Sequence, residues 1–430
     1  MPVTVIEGEQ RGDEGKGRYV DMLASEHDIV ARFNGGPNAG HTVILADGTE
    51  FDLHGVPSGI THEHTINVIG NGTLIDPMKL PSEIDKLRSK GVSVAPDNLL
   101  ISSAAHLIMP HHIEADVIRE AGEQAQGSTK SGIAQTAAAK AERLGGRAEL
   151  INNDPLQIYN LVRKGLIAQQ RARKRYGLEP LDAKQVAEEY VENALQFGEY
   201  VTNTVRFLNV ALRRGQRVLA EGAQSFWLDV DHGMYPYTSS SNPTAGGACV
   251  GLGIPPHSIE RVIGVAKAVQ SHVGGGPFVT EIDEPKLLKR LHGNMRARDA
   301  ETGTTTGRKR RLGYIDVPSI RLAQMVNGTY EGALTKLDWV PRFGDELKVC
   351  VAHVRKGKVL KDAPDAAYKL DECSPAFVTL PNWQEDIGDV REFGDLPENA
   401  QKLVKFVEDL TGVRYRYIGV GPQRDQVIER

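Results

Sequence analysis

Short apolar runs recur along this chain of 430 residues, each closed by glycine or a polar residue: Val3 to Ile6, Thr65 to Gly70, Val218 to Gly222, Val262 to Val269 and Ala333 to Leu337. Runs of this kind, with little polar alternation, suit strands buried on both faces. Between some of them the apolar period becomes helical. From Ala183 to Arg214, residues such as Val186, Tyr190, Ala194, Val201, Val205, Leu208 and Leu212 repeat at steps of three and four, with a break expected at Gly198. Arg213 and Arg214 before Gly215 suit a helix C-terminus. Leu80 to Lys90 predicts another helix, opened by Pro81-Ser82-Glu83. The alternation predicts an α/β fold: a large, mostly parallel central sheet flanked by helices. Ligands of such sheets sit outside the carboxyl ends of the strands, where residues 12–17 and 222–225 fall.

The last third reads differently. Leu347 to Val354 alternates in strand fashion, and Arg355-Lys356-Gly357-Lys358 predicts a hairpin turn. Residues 362–398, rich in Asp, Glu and Pro, are expected to be irregular surface. A helix over Pro397 to Thr411 and a strand over Arg414 to Val420 close the chain. No repeat, low-complexity tract or linker is evident, so a single domain over residues 1–430 is expected.

With 51 Lys and Arg against 56 Asp and Glu, the formal charge of −5 argues against a nucleic-acid partner. Cys249, Cys350 and Cys373 are few and scattered, as in a reduced cytoplasmic protein. Charges at Glu7, Glu9 and Arg11 break up any signal-peptide pattern, and no window suits a membrane span.

The candidate chemistry sits in loops. Gly12-Asp13-Glu14-Gly15-Lys16-Gly17 follows the first predicted strand. Its glycines let backbone N–H groups face an anion, and Lys16 can lie against phosphate oxygens. Asp13 would repel a phosphate, so it implies Mg²⁺, a general base, or both. Neither the Walker sequence nor the dinucleotide fingerprint is present. Asn38-Ala39-Gly40-His41-Thr42 can bring an imidazole and carbonyls to a polyphosphate. His111-His112 with Glu114 and Asp116 reads as helix surface rather than a metal site, because adjacent helical residues diverge. Thr304-Thr305-Thr306-Gly307-Arg308-Lys309-Arg310-Arg311 combines hydroxyls with guanidinium forks, as a small-anion loop needs. Thr335-Lys336-Leu337-Asp338 is similar to a guanine-reading signature, in which the aspartate accepts N1–H and the 2-amino group. Gly421-Pro422 could close over the base. Glu221-Gly222-Ala223-Gln224, Asp231 to Tyr237 and Ser239 to Asn242 read, taken alone, as a strand end, a loop and a polar turn.

The order of these segments, with Ile69-Gly70-Asn71-Gly72, resembles the adenylosuccinate synthetase family from one end of the chain to the other. The resemblance implies a P-loop-NTPase-like fold with smaller peripheral subdomains, a homodimer, and a GTP- and Mg²⁺-dependent ligation of L-aspartate to IMP through a 6-phosphoryl intermediate. It implies Asp13 as the base, His41, Lys16 and Gln224 as catalytic partners, and Asp13 with the Gly40 carbonyl as metal ligands. GTP would meet Gly12, Glu14, Gly15, Lys16, Gly17, Gly40 and Thr42, then Arg310, Lys336, Leu337, Asp338, Gly419 and Gly421. IMP would meet Asp13, Asn38, Ala39, Thr129, Gln224, Ser239 and Arg308, with Arg143 reaching it from the neighbouring subunit. Thr304, Thr305, Thr306, Gly307, Arg308 and Arg310 would hold aspartate. The chain departs from the family's usual residues at Arg11, over 129–137, and at Leu144 and Gly419. Two rival readings are the same chemistry on dGMP, against which the presence of Asp13 speaks, and a GTP-binding regulator without ligase activity.

Overall fold

The computed structural model describes residues 2–122, 128–293 and 309–430. The apolar runs become the strands of a ten-stranded sheet: β1 (Val3–Gly8), β2 (Ile29–Arg32), β3 (Ile66–Ile69), β4 (Leu99–Ser102), β5 (Val201–Thr202), β6 (Val218–Glu221), β7 (Ile259–Lys267), β8 (Glu331–Thr335), β9 (Arg414–Gly419) and β10 (Val427–Glu429). Their order is β10-β9-β8-β7-β1-β6-β2-β3-β4-β5. All neighbours are parallel except β9 and β10.

Alternation within β1 explains why its run is continuously apolar. Val3 and Val5 pack with Ile29, Ala31, Val68 and Leu208 in one core, while Ile6 joins Tyr19, Val20, Val30 and Ile263 in another. Tyr19 and Val20 belong to the helix Lys16–Ala24, which lies over the centre of the sheet. β1 sits between β6 and β7, where the strand order reverses. The carboxyl ends of the central strands therefore converge on one crevice.

Three local expectations change. The stretch from Ala183 to Arg214 is two helices, Ala183–Leu195 and Thr204–Arg213, separated by a 3-10 turn at Gly198–Tyr200 and by β5. Two residues in a helical period cannot announce a strand; pairing with β4 at the sheet edge makes it one. Residues 362–398 are not all irregular. Cys373–Pro381 is a strand antiparallel to Glu346–Arg355, and Ala367–Asp371 is a short helix. The strand is largely exposed, so burial imposes no alternation on it, and Pro375 and Pro381 mask its signal. Finally, His112 and Asp116 are buried, not surface. The helix Ile133–Glu142 covers that face of Pro110–Glu120, with Thr136 Oγ1 3.0 Å from His112 Nδ1. The hairpin turn at 355–358 forms as expected.

Candidate active site

The loop after β1 is closed by its own charges. Glu14 is buried and turned inward. Its Oε1 accepts the Gly12 N–H at 2.8 Å, and its Oε2 accepts Lys16 Nζ at 2.7 Å and Ser225 Oγ at 2.5 Å. Burial alone would raise the Glu14 pKa, but Lys16, Lys267 and these hydrogen bonds outweigh it and hold it below the usual carboxylate range. Gly8 must lack a side chain, because a Cβ there would lie 2.6 Å from Glu14 Oε2 and 2.9 Å from Lys16 Nζ. Lys267, wholly buried at the end of β7, donates to the Gly12 carbonyl at 2.6 Å and to Ser271 Oγ at 2.8 Å. Asp13 remains one-third exposed, with Oδ2 3.0 Å from Arg310 Nε.

His41 opens the hairpin strand His41–Ile44 and is buried. Its Nδ1 meets Glu221 Oε1, and the same carboxylate accepts Ser58 N–H at 2.8 Å and Ser58 Oγ at 2.9 Å. Burial lowers the His41 pKa more than Glu221 restores it. Burial would raise Glu221, yet His41, Arg32 and the Ser58 N–H together hold it low. The pair is therefore a neutral imidazole donating Nδ1–H to a carboxylate, which leaves Nε2 for a ligand. A Cβ on Gly17 would come within 2.9 Å of His41 Cβ, so the glycine lets the two loops touch.

On the other side of β6, Asn34 anchors the loop that carries Gln224. Its Oδ1 accepts Ala223 N–H at 2.8 Å, and its Nδ2 donates to Ala223 O at 2.9 Å and Gln224 Oε1 at 3.4 Å. Ser239 Oγ donates to Leu228 O at 2.9 Å. Thr129 Oγ1 lies 3.1 Å from Ser131 Oγ, just before the helix Ile133–Glu142. Buried Asp116 ties that loop down by accepting Ser128 Oγ at 2.7 Å and Gly132 N–H at 3.1 Å. Arg143 ends the helix, exposed and left-handed. Asn38 is half-buried beside the buried Ala39, and Gly40 is exposed.

The third part lies beyond β8 and β9. Lys336 Nζ lies 4.5 Å from the Trp339 ring centroid, Leu337 is buried, and burial raises the Asp338 pKa while Arg18 lowers it. Gly419 ends β9, with Gly421 just after it. Thr42 donates to Asp52 at 3.0 Å across its hairpin. Thr304 to Arg308 lie outside the described residues. Of the neighbouring cations, Arg311 is engaged with Glu281 and the Gly276 carbonyl.

Backbone strain marks the same loops. Asp13, Lys130, Arg143, Gln224 and Lys336 all have positive φ, and among the described non-glycine residues only Lys356, in a hairpin turn, joins them. Asp316, Cys350 and His353 offer converging metal-type donors, all buried. Asp316 is already spent: it caps the helix Val317–Asn327 through Ser319 and takes His353 Nε2 at 2.8 Å.

Sequence reasoning gave no role to Glu221, Lys267 or Asn34. Each stands at or just after a strand end, and Lys267 is a lone cation in an apolar run, which is the signal that could have found it.

Known proteins resemble the chain over its whole length. The family model for adenylosuccinate synthetase matches residues 5–428. The adenylosuccinate synthetase of Caldanaerobacter subterraneus is 43% identical, covering 100% of this chain and 99% of that one. That of Bacillus cereus is 41% identical, covering 99% and 98%. The solved, fully ligated adenylosuccinate synthetase of Plasmodium falciparum superposes with a TM-score of 0.91 at 33% identity, with both chains fully covered. The succinoaminodeoxyadenylate synthetase of cyanophage S-2L, solved with dGMP and dATP, shares the fold at a TM-score of 0.64 and 19% identity, over 100% of this chain and 95% of that one.

Proposed function

Because this chain belongs to the adenylosuccinate synthetase family, we propose how the crevice performs the family's reaction. The protein is a GTP-dependent ligase that joins L-aspartate to IMP, giving adenylosuccinate, GDP and phosphate. The dGMP reading is not favoured, since the chain shares 41% to 43% identity with the synthetases and 19% with the phage protein.

The observation that carries the assignment of roles is the separation of two acid–base groups. Asp13 is open to the crevice, while His41 is buried with its Nδ1 spent on Glu221. Asp13 takes the N1 proton of IMP. The 6-oxygen then attacks the γ-phosphorus of GTP, and the bond to the β-phosphate oxygen breaks. His41 presents Nε2 to the transferring phosphoryl, with Glu221 stabilising any positive charge on the ring. Lys16 adds a point charge on the phosphates, and Gln224 orients the purine. The aspartate amine next attacks C6, the phosphate leaves, and the amine loses its proton. Arg310 spans the two steps: its contact with Asp13 supports placing the aspartate loop beside the base.

Asp13 Oδ and the Gly40 carbonyl are hard oxygen donors, and Asp13 is accessible enough to share. They fit Mg²⁺, whose remaining positions would fall to phosphate oxygens and water. Bound there, Mg²⁺ would neutralise phosphate charge. Asn38, Ala39, Thr129, Ser239 and Arg308 would hold IMP, and Thr304 to Gly307 with Arg308 and Arg310 would hold aspartate. Gly12, Glu14, Gly15, Gly17, Gly40 and Thr42 would line the phosphates, and Lys336, Leu337, Asp338, Gly419 and Gly421 the guanine. Arg143 would serve the partner's site in a cytoplasmic homodimer, with 1–430 as one domain. Phosphate release with IMP, aspartate and GTP, each omitted in turn, tests the whole. Asp13→Asn should abolish transfer while GTP binding persists, and near-normal turnover would remove Asp13 as the base.

A further inference from the structure

Arg18 is the third residue of the helix that begins at Lys16, so phosphate loop and Arg18 share one rigid element. Its side chain does not face solvent; the residue is 8% exposed. The guanidinium lies among the ends of β8 and β9, beside the segments that would hold the base of GTP. Nη1 donates to the Gly421 carbonyl, and Nη2 donates to Tyr19 Oη at 3.1 Å. The Tyr19 ring supports it, with the guanidinium carbon 5.0 Å from the centroid. Gly419 makes room for it: a Cβ there would overlap Nη2 and lie 3.0 Å from Tyr19 Oη. Nε is buried with no hydrogen-bond partner among the described residues. Its charge reaches Asp338. A buried cation with a spare donor is an expensive arrangement unless a ligand completes it.

We propose that Arg18 reads the base of the triphosphate: it donates to O6 of guanine while Asp338 accepts N1–H and the 2-amino group. This deepens the GTP assignment and rests on it. Guanine presents one acceptor followed by two donors along that edge, and an arginine–aspartate pair is the matching donor and acceptor set. Adenine presents an amino donor to the guanidinium and a lone pair to the carboxylate. Both contacts then become repulsive, so the pair rejects ATP as well as selecting GTP.

The test measures KM and kcat for GTP, ITP and ATP in wild type, Arg18→Leu and Gly419→Ala. ITP keeps O6 and N1–H but lacks the 2-amino group. In Arg18→Leu the KM for GTP should rise about 10- to 100-fold, as for loss of a charge-assisted hydrogen bond. ITP should show the same factor, the KM for ATP should fall because one of the two repulsive contacts is gone, and kcat should fall much less than the KM for GTP rises. KM for IMP and aspartate should stay put. Gly419→Ala, at a residue without positive φ, should displace the guanidinium and reproduce the GTP effect. If Arg18→Leu does not fold, Arg18→Met, which keeps the length of the buried stem without its donors, decides by the same readings. An unchanged KM for GTP, or an equal rise for GTP and ATP, overturns the role of Arg18. A wild type that uses ATP as well as GTP overturns the donor assignment itself, and shows it before any variant is made.

Discussion

His41 Nδ1 and Glu221 Oε1 are in direct contact although 180 residues separate them in the chain, and neither side chain reaches solvent appreciably. The carboxylate comes from the end of a central strand and the imidazole from a hairpin folded back over the crevice. Glu221→Gln should fix the wrong tautomer and cut kcat by about 10²- to 10⁴-fold, with KM for GTP moving far less. Steady-state kinetics checks this, and an unaltered kcat would strip Glu221 of its role. Both partners have lowered pKa values. For each, the unfolded chain binds protons first, so acidification from about pH 6.5 through the carboxylate range should destabilise the wild type. Below about pH 4.5, where the wild-type carboxylate would take up its proton, melting temperature should fall less steeply in the Gln variant, whereas the loss that comes from buried His41 should persist.

A second pH effect runs the opposite way. Glu9 is buried, with a pKa pushed up to about 8 by burial, reinforced by the charge of Glu14 and opposed by hydrogen bonds from Gln324 and Thr329. The folded chain holds this proton where the unfolded chain has lost it, so stability falls as pH rises from about 4.5 to 8. Glu9→Gln should gain roughly 1–3 kcal/mol at pH 8.5 and almost nothing near pH 4.5. Urea unfolding at the two pH values measures the difference, and equal gains at both would mean that the buried proton of Glu9 is not the cause.

Lys267 carries three hydrogen bonds to the Gly12 carbonyl and Ser271. Lys267→Met would leave these acceptors buried and release the phosphate loop from β7. A stability loss of about 2–4 kcal/mol and at least a tenfold fall in kcat, roughly one hydrogen bond's worth, are expected. Chemical denaturation and phosphate release would show them; a stable, fully active variant would mean the loop holds itself.

Arg143 stands exposed at a helix end, as a residue that serves a neighbouring subunit would. Arg143→Leu alone should raise KM for IMP. Mixed with Asp13→Asn, it should recover about a quarter of wild-type activity, since half the dimers are hybrid and each has one intact site. No recovery after subunit exchange would place Arg143 outside the partner's site.

Much of the sheet was legible because its strands are buried on both faces, so Val3 to Ile6 or Val218 to Ala220 had to be apolar throughout. Cys373–Pro381 was not, since an exposed strand is held by backbone pairing to Glu346–Arg355 and its side chains are free to vary. His112 and Asp116 misled for a related reason: a polar pair on a helix looks like surface until another helix covers it.

By itself the sequence determined which loops are the candidates for chemistry. Glycines at 12, 15 and 17, a carboxylate among them, and a histidine after Gly40 have few other uses, and their order along the chain is distinctive. Tertiary structure alone decided what those groups can do. The protonation of His41, the hold of Ser225 on the inward-turned Glu14 and the seat of the Arg18 guanidinium on the Gly421 carbonyl all depend on partners far away in the chain. The reason is electrostatic: a charge's proton affinity is set by burial and by neighbours within a few ångströms, and only folding says who they are.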